Sequence, residues 1–571
     1  MKYLFITGLL LIVILNSCYV GRYHYFGEEP KNSGKYPWFT SKDSLVGYLD
    51  KDRSGYDVFF YDIDIDVDWV YEEISGEVVI HFKPIRNIGS LRFDLYKNLD
   101  IENVEFNGQN LAVNRHKRAC YIEFPDSLEK NRNYSLAIKY SGKPVEAKDP
   151  PWEGGMVWSV DTAINPWFGV CCQSEGASIW FPCKDHISDE PDSVRMRITV
   201  PESLTAVSNG SMIDHSLVDG KEVYTWFTRY PINPYNITFY VGNYVNFKDT
   251  IITNGGELVL DYFVLPYNLD RAMSHFKQAR DVVRIYSELF GPYPWIDEGF
   301  KLVESPYEGM EHQTAIAYGD MYMNDFRWDF DYIIVHEAAH EWWGNAVSVD
   351  DFSDIWLHEG FATYAEFLYI EQTEGYQHSH SYAQYDIAPY INNLRPVVGP
   401  EHVNYWSHSD NDVYFKGAMV LHTLRNTIND SVLFFDILQT FYRDHAKKSH
   451  VTTSDFIELV NEKTGKNWDK FFEAYLYSTK VPVLHYYFFY DEPSSEQQDS
   501  TYCVALKWEN VPEGFTMPVT LMNDDTKEVF RLDAGTSTKI FDAGILESGE
   551  GITLNLGVSY YVIQEDSVIL K

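Results

Sequence analysis

Two kinds of hydrophobic pattern divide the chain. Residues 62–69 alternate strictly between acidic and apolar side chains, which predicts a half-buried strand with its acids facing water. Similar short strands recur to about residue 248, and alternation returns after residue 481, so both ends of the chain are predicted to form β-sandwiches. The region between them has a mixed and then mainly helical pattern. We therefore predict a multidomain α+β protein with domains at 51–248, 249–480 and 481–571.

The helical region opens with an amphipathic segment. Apolar side chains at helical spacing predict one helix from residue 270 to the Gly291-Pro292 pair, with its buried face formed by Met273, Phe276, Ala279, Val283 and Phe290.

Residues 336–340 read HEAAH and carry the clearest chemistry. Positions i and i+4 share one face of a helix, so His336 and His340 can bind one metal ion together. Glu337 points about 100° away, which lets it reach a metal-bound water without binding the metal. Glu359, with 18 residues between it and His340, would complete a two-His, one-Glu site. The fourth position would stay open for water, as a catalytic zinc requires.

An ordinary surface helix with two histidines is the alternative. It fits poorly, because apolar residues 332–335 precede the motif and Trp342 and Trp343 follow it. A helix that is apolar on most sides is buried, and buried His and Glu side chains need partners. We predict one zinc ion per chain, although cobalt or manganese would also accept these ligands.

Three motifs in the same order resemble the gluzincin aminopeptidases, the family of aminopeptidase N and the leukotriene epoxide hydrolase. They are residues 336–345 with 356–362, residues 308–312 (EGMEH, similar to the family's GxMEN exopeptidase motif) and residues 414–418 (YFKGA). The resemblance extends from about residue 50 to the C-terminus. It implies a saddle-like N-terminal β domain, a thermolysin-like, mainly α catalytic domain and a small C-terminal β-sandwich. It also implies zinc-dependent removal of N-terminal residues from peptides with a free N-terminus.

The resemblance assigns roles to further residues. Glu337 takes the proton of the zinc-activated water as general base, and Tyr414 stabilises the oxyanion. Glu311 binds the free α-ammonium, and Gly309 lets the substrate backbone approach closely. Glu366, on the same helical face as the third metal ligand, orients a ligand histidine; a plain surface Glu is the alternative.

A second ammonium-binding residue is expected in the N-terminal domain. In the family it is a Gln or Glu shortly before a Pro-Cys-x-Asp segment. Residues 172–175 read CQSE and precede FPCKD at 181–185, so we predict Glu175, with a solvated loop acid as the alternative. The stretch between the two segments is about two residues shorter than is usual in the family.

Three residues depart from the family motifs. Glu308 stands in place of a Gly, and His312 and His358 each stand in place of an Asn. None of these changes removes a metal ligand, the base or the ammonium anchor. Glu308 adds negative charge near the expected substrate entrance, and both histidines ordinarily titrate near neutral pH. We therefore expect an altered selectivity or pH optimum.

The charge balance excludes one class of ligand. The net charge of −38 argues against nucleic acid, because phosphate binding needs clustered Lys and Arg. It suits a well-solvated extracytoplasmic enzyme, and an acidic cleft also attracts cationic amino termini. The 571 residues with 45% hydrophobic side chains are enough for several large cores.

The first 17 residues resemble a bacterial lipoprotein signal peptide. Lys2 precedes an apolar run at 4–15, too short to span a bilayer comfortably, and the sequence Leu-Asn-Ser then leads to Cys18. We predict lipidation of Cys18, a tether over residues 18–50 and no other contact with the membrane. The predicted location is the cell envelope, on the periplasmic or cell-surface side. An ordinary signal peptide or an uncleaved anchor is the alternative.

Five further cysteines remain, and an odd number leaves at least one thiol unpaired. The sequence leaves open a bridge from Cys171 or Cys172 to Cys183, with buried thiols as the default.

Three other functions share parts of this pattern. A thermolysin-type endopeptidase is disfavoured by the ammonium-binding motif around Glu311 and by the spacing to Glu359. An epoxide hydrolase has no positive sign in the sequence. A catalytically silent relative that acts as a binding module is disfavoured, because all metal ligands and the base are present.

Overall fold

The computed structural model describes residues 39–404, 411–448, 450–491, 501–543, 552–555 and 557–570. The predicted signal peptide and Cys18 lie outside these ranges. Within them, no helix is long and apolar enough to cross a membrane.

The N-terminal domain is built from strands, preceded by helix α1 (Ser41–Gly47). The strands are β1 (Tyr56–Asp68), β2 (Glu73–Pro84), β3 (Ile88–Asp94), β4 (Leu99–Phe106), β5 (Gln109–Asn110), β6 (Val113–His116), β7 (Ala119–Leu128), β8 (Tyr134–Gly142), β9 (Gly155–Val160), β10 (Pro166–Cys171), β11 (Ser193–Pro201), β12 (Thr205–Ser208), β13 (Ser211–Val218), β14 (Lys221–Thr228) and β15 (Phe239–Gly242). They form an eight-stranded sheet in the order β13-β14-β11-β1-β2-β8-β4-β5, a four-stranded sheet β12-β15-β10-β9 and a three-stranded sheet β3-β7-β6.

Strand β1 shows why the alternating pattern forms a sheet. Ile63 is fully buried, whereas Asp62 and Asp64 lie on the other face and pair with Arg195 and Arg197 of the parallel neighbour β11. The predicted half-buried strand is confirmed, with its acids at the solvent face.

The middle domain combines one mixed sheet with nine helices among the described residues. The sheet has the order β16-β17-β18-β20-β19. Its strands are β16 (Val245–Thr253), β17 (Gly256–Val264), β18 (Phe300–Glu304), β19 (Gly309–Met310) and β20 (Ile316–Tyr318). The helices are α2 (Leu269–His275), α3 (Lys277–Leu289), α4 (Tyr332–Ala339), α5 (Trp356–Glu374), α6 (Tyr376–Tyr382), α7 (Phe415–Ile428), α8 (Ser431–His445), α9 (Thr453–Thr464) and α10 (Asp469–Leu476).

Two details of this domain differ from the sequence prediction. The boundary predicted at residue 248 falls inside β16, which pairs along its whole length with β17, so this sheet begins at Val245. The helix predicted from residue 270 is two helices that meet at Phe276, and Met273 on the first of them is half exposed rather than buried.

The C-terminal domain is a small pair of sheets, β25-β22-β21-β27 and β24-β23-β26. Its strands are β21 (Val483–Asp491), β22 (Thr501–Glu509), β23 (Thr516–Asn523), β24 (Val529–Gly535), β25 (Lys539–Asp542), β26 (Ile552–Leu554) and β27 (Val562–Glu565). Trp508 and Phe515 of this domain share one buried cluster with Trp356 of α5, so the two domains are packed against each other. The predicted order of a β domain, a mainly helical domain and a small β domain is confirmed.

The cysteines of the described residues are buried and unbonded: Cys120, Cys171, Cys172, Cys183 and Cys503. The bridge that the sequence left open between Cys183 and the Cys171-Cys172 pair is therefore not formed. Burial raises the pKa of each thiol in that group, which keeps it protonated.

Candidate active site

Helix α4 carries the HEAAH motif into the interior. Its first turn is capped by Asp331, whose carboxylate accepts a hydrogen bond from the Ile334 amide at 3.1 Å. The apolar lead-in buries the helix, so that His336 and His340 are only 4% and 1% exposed. Their Nε2 atoms face each other at 3.2 Å, as the i, i+4 spacing predicted.

Glu359 joins the two histidines from the first turn of α5. Its Oε2 lies 3.7 Å from His336 Nε2 and 3.4 Å from His340 Nε2. The ligand atoms of these three residues lie within 4.8 Å of one another. Burial alone would raise the pKa of Glu359, but the imidazoles of His340 and His336 hold it below its ordinary value. Two imidazoles and one carboxylate, converging in a buried pocket, fit a catalytic zinc ion.

The structure contains a second group of potential metal ligands. The ligand atoms of Glu311, Glu337 and His340 also lie within 4.8 Å of one another. Because both groups use His340, we interpret them as one site for a single ion. Glu311 and Glu337 then remain available for the substrate and for proton transfer.

Hydrogen bonds behind the histidines fix their orientation. His336 Nδ1 lies 2.7 Å from Glu366 Oε1, and the Tyr382 hydroxyl donates to the other oxygen of Glu366. His340 Nδ1 lies 2.9 Å from the carbonyl oxygen of Trp343. Since each Nδ1–H donates outward, each Nε2 is left free to bind a metal. The predicted contact between Glu366 and a ligand histidine is therefore present.

The predicted base, Glu337, lies at the wall of the same pocket. Its Oε2 is buried and has no hydrogen-bond partner in the described part of the chain. Burial raises the pKa of Glu337, while the imidazoles of His336 and His340 oppose that shift. A Cβ atom added at Gly309 would lie 2.8 Å from Glu337 Oε1. Gly309 is thus required to make room for the base, a reason that the sequence did not reveal.

The predicted ammonium anchor, Glu311, is 4% exposed and follows strand β19. Gln173 Nε2 donates to Glu311 Oε1 at 2.6 Å and to Glu359 Oε1 at 2.9 Å. Gln173 belongs to the N-terminal domain, so this domain closes one end of the cleft. Burial raises the pKa of Glu311, and the imidazole of His340 opposes the rise.

The prediction of Glu175 is wrong as to its place. Its carboxylate pairs with Lys42 at 3.0 Å and accepts a hydrogen bond from the Tyr96 hydroxyl at 3.2 Å, and it does not line the cleft. Gln173 takes the expected position instead. The sequence contained a signal for this, because the stretch before the Pro-Cys segment is two residues shorter than usual when it is counted from Glu175. The residue two positions earlier is Gln173.

Tyr414 lies just before α7 and lines the same cleft. Its ring centroid is 6.0 Å from that of His336. Burial, together with the carboxylates of Glu359 and Glu311, raises the pKa of Tyr414 well above its ordinary value. The phenol therefore stays neutral and can donate a hydrogen bond.

The two histidines that depart from the family motifs are structural. His312 Nδ1 lies 2.6 Å from the Tyr240 hydroxyl, and His358 Nε2 accepts a hydrogen bond from the Val349 amide at 3.1 Å. Burial lowers the pKa of each to about 3, so neither titrates near neutral pH as the sequence suggested.

The cleft encloses about 580 Å³ and opens to solvent. Its lining combines the metal group with aromatic, apolar and acidic side chains: Pro151, Trp152, Gln173, Ser174, Glu308, Gly309, Met310, Glu311, Tyr332, Ile333, His336, Glu337, His340, Glu359 and Tyr414.

The chain is similar to known peptidases along most of its length. Residues 277–475 match the Peptidase family M1 domain, and residues 59–235 match the Peptidase M1 N-terminal domain. Aminopeptidase N of Lactococcus lactis subsp. lactis is 23% identical over 481 residues, which are 78% of this chain and 53% of that protein. The chain thus spans about half the length of that relative. Leukotriene A-4 hydrolase of Xenopus laevis is 22% identical over 455 residues, 73% of this chain and 68% of the other.

Solved structures agree on the fold. A mutant of the M1 zinc metallopeptidase from Deinococcus radiodurans, bound to a Tyr-Ser-Ala substrate, superposes with a TM-score of 0.63 at 22% identity, covering 75% of this chain and 95% of that one. The matched regions include the N-terminal domain that supplies Gln173 and the helices that supply the metal ligands. The chain therefore belongs to peptidase family M1.

Proposed function

We propose that the protein is a zinc-dependent aminopeptidase that removes single residues from the free N-terminus of peptides. The observation that carries this proposal is Glu311. It is a buried carboxylate that faces the cleft, and no Lys or Arg of the described residues pairs with it. A buried carboxylate is costly to ionise without a cationic partner, so a cationic ligand is favoured there. The α-ammonium of a peptide is such a ligand.

Exclusion of internal peptide bonds follows from the same geometry. Gln173 and Glu311 together close one end of the cleft. A chain that continued past the ammonium position would leave Glu311 desolvated and unpaired, and this penalty discriminates strongly. This favours an aminopeptidase over a thermolysin-type endopeptidase.

The chain's own residues supply the proton transfers. When bound by His336, His340 and Glu359, zinc supplies a Lewis acid for the attacking water and the scissile carbonyl. Glu337 accepts the proton of the attacking water, because it lines the cleft beside the metal ligands and its pKa is raised by burial. The same carboxyl group then delivers that proton to the leaving amine. Tyr414 donates a hydrogen bond to the carbonyl oxygen as it gains negative charge.

Similarity to known proteins supports the same activity. Two of the relatives are aminopeptidase N and leukotriene A-4 hydrolase, and the related structure holds a tripeptide substrate. No described residue favours the epoxide hydrolase over the peptidase.

The test uses soluble protein that starts at Tyr19, with aminoacyl reporters offered both free and N-acetylated, with and without a chelator. We expect chelator-sensitive cleavage of the free forms alone. Cleavage of acetylated forms would support an endopeptidase instead. Absence of any cleavage, despite one bound zinc ion per chain, would support a silent binding module. Glu337→Gln serves as the matched inactive control.

We further propose that Cys18 anchors the protein to the cell envelope through its acyl chains. The support is the sequence alone: a short apolar run followed by a lipobox-like segment, both outside the described residues. Metabolic labelling of bacteria that express the full chain with an alkyne fatty acid should mark the protein. Cys18→Ser should remove the label, and a label that persists in this variant would contradict the anchor.

A further inference from the structure

Glu308 lines the peptide cleft, but the proposed mechanism gives it no role. It is exposed and comes directly before strand β19. Its backbone carbonyl accepts a hydrogen bond from the Gly319 amide at 2.7 Å, which ties this segment to the neighbouring strand β20. In the described ranges no Lys or Arg forms an ion pair with its carboxylate, although burial raises its pKa. The backbone of Glu308 is therefore held in place, and its side chain is a partly desolvated acid that lines the cleft.

The cleft is lined by acids that have no Lys or Arg beside them in the described part of the chain. Its lining contains four glutamates: Glu308, Glu311, Glu337 and Glu359. The proposed function assigns Glu359 to the metal, Glu311 to the substrate ammonium and Glu337 to proton transfer. Glu337 Oε2, buried and unpartnered in the described residues, independently marks this cleft as a place that receives a ligand. Of these four acids, Glu308 alone has no role in the proposed function, and it is left for the rest of the substrate.

The direction of strand β19 indicates which part of the substrate would lie near Glu308. Glu311 marks the ammonium end, and Glu337, the base beside the scissile bond, packs against Gly309. Strand β19 (Gly309–Met310) is extended between them, so Glu308 lies on the far side of Gly309 from Glu311, at most about 10 Å along the chain at roughly 3.3 Å per residue. That position corresponds to the leaving-group side of the cleaved bond.

A neighbouring acid reinforces the negative potential. Asp320 follows Gly319, whose amide binds the Glu308 carbonyl. Burial and the charges of Asp331 and Glu308 raise the pKa of Asp320 to about 6, with His275 opposing. The backbone hydrogen bond places Asp320 one residue from the partner of Glu308, so its negative charge adds to that of Glu308 near the cleft.

We propose that Glu308 makes this aminopeptidase prefer peptides that carry Lys or Arg in the first or second position after the cleaved bond. The inference rests on the proposed function and names a substrate class for it. In the family pattern this position is a Gly, which has no side chain to make the contact, so the preference belongs to this chain.

The experiment compares two tripeptide series, Ala-X-Ala and Ala-Ala-X, in which X is Lys, norleucine or Glu. The readout is the ratio of kcat/KM for Lys to that for norleucine, because a uniform loss of activity cancels in this ratio. We expect a ratio of about 5 in one of the two series, as for a partly exposed ion pair, and a smaller ratio in 0.5 M salt. The series with the larger ratio identifies the position.

Variants assign the preference to the side chain. In Glu308→Gln the ratio should fall to about 1, and in Glu308→Lys it should invert in favour of Glu. Glu513→Gln, a matched change of an exposed acid in the C-terminal domain, should keep the original ratio.

The outcomes separate this inference from the proposed function. Cleavage of all tripeptides at similar rates, or an unchanged ratio in Glu308→Gln, would overturn the inference and leave the aminopeptidase intact. Failure to cleave any free-amine peptide would overturn both.

Discussion

The protein buries charged side chains in two regions, and the two regions differ in whether these side chains have partners of opposite charge. In the N-terminal β domain, Asp94 lies between Arg53 at 3.2 Å and Arg92 at 2.7 Å, and all three are buried. Lys184 and Asp189 pair at 2.7 Å nearby. In the cleft, by contrast, the buried acids have no Lys or Arg partner among the described residues: Glu311, Glu337 and Glu359.

The difference indicates what each region is for. A buried charge without a partner costs several kcal/mol, so a fold that only needs stability pairs its charges internally. Among the described residues, the cleft has no cationic side chains beside its carboxylates, and under the proposed function a metal ion and a peptide ammonium supply the cations from outside. The predictions below test this division by removing one acid at a time.

Loss of Glu337 should have the largest effect on activity. In Glu337→Gln, turnover of free aminoacyl reporters should fall about 10³-fold, because the proton acceptor is gone. The free energy of unfolding should stay the same or rise, since Oε2 has no partner to lose and burial already disfavours its charge. Steady-state kinetics and guanidinium denaturation measure the two quantities. A parallel loss of stability or of bound zinc would show that Glu337 is part of the structural frame instead.

Loss of Asp94 should affect the stability of the fold rather than the activity. Asp94→Asn leaves Arg53 and Arg92 buried with less compensation, and should lower the free energy of unfolding by about 3–5 kcal/mol. The matched control is Asp62→Asn, which breaks a partly exposed pair with Arg195 on β1 and should cost less than about 1 kcal/mol. Equal losses in the two variants would contradict the contrast between buried and exposed pairs.

The Asp94 effect should also depend on pH. Burial alone would raise the pKa of Asp94, but Arg53 and Arg92 hold it below its ordinary value. A carboxylate whose pKa is lowered on folding stabilises the protein above its unfolded-state pKa, about 3.9, and loses this contribution as the pH falls through the folded value. The difference between wild type and Asp94→Asn should therefore persist from pH 8 to 5 and shrink below about pH 4. A difference that stays constant down to pH 2 would exclude this origin.

Loss of the Tyr414 hydroxyl should have the next largest effect on activity. Tyr414→Phe keeps the ring against His336 but removes the hydrogen-bond donor, and kcat should fall about 100-fold with little change in KM. Tyr390→Phe, an exposed tyrosine near α7, is the control and should keep wild-type kinetics. A change confined to KM would place Tyr414 in substrate binding rather than in stabilisation of the transition state.

The same two regions explain how much the sequence could predict. His336, His340 and Glu359 were predictable because helical geometry converts a fixed local spacing into a shared face. The alternation in β1 predicted its buried and exposed faces for a similar reason. Neither prediction needs knowledge of a distant part of the chain.

Gln173 and the paired charges of the β domain could not be derived in this way. Gln173 reaches Glu311 across 138 residues, and Asp94 of β3 meets Arg53, in the turn before β1, only through tertiary packing. Local periodicity contains no such information, and resemblance to a family places a residue only when the intervening loop length is right. Counted from Glu175, the spacing to the Pro-Cys segment is two residues shorter than is usual in the family, so the prediction fell two residues past Gln173.

The smallest effect expected here is that of Glu366. Its Oε1 lies 2.7 Å from His336 Nδ1. Glu366 is thus a buried acid that has a partner, as in the β domain, but the partner is an imidazole rather than a Lys or Arg. Glu366→Gln keeps the size and one acceptor oxygen but removes the negative charge that makes the imidazole a better ligand. Zinc affinity, measured by competition with a chelating dye, should fall about 10-fold to 100-fold. Activity at saturating zinc should fall less, because the ligands and the base remain. Glu374→Gln, at the exposed end of the same helix, should change neither quantity. If Glu366→Gln also left zinc affinity unchanged, a neutral hydrogen bond would be enough to orient His336, and the negative charge of Glu366 would add nothing to metal binding.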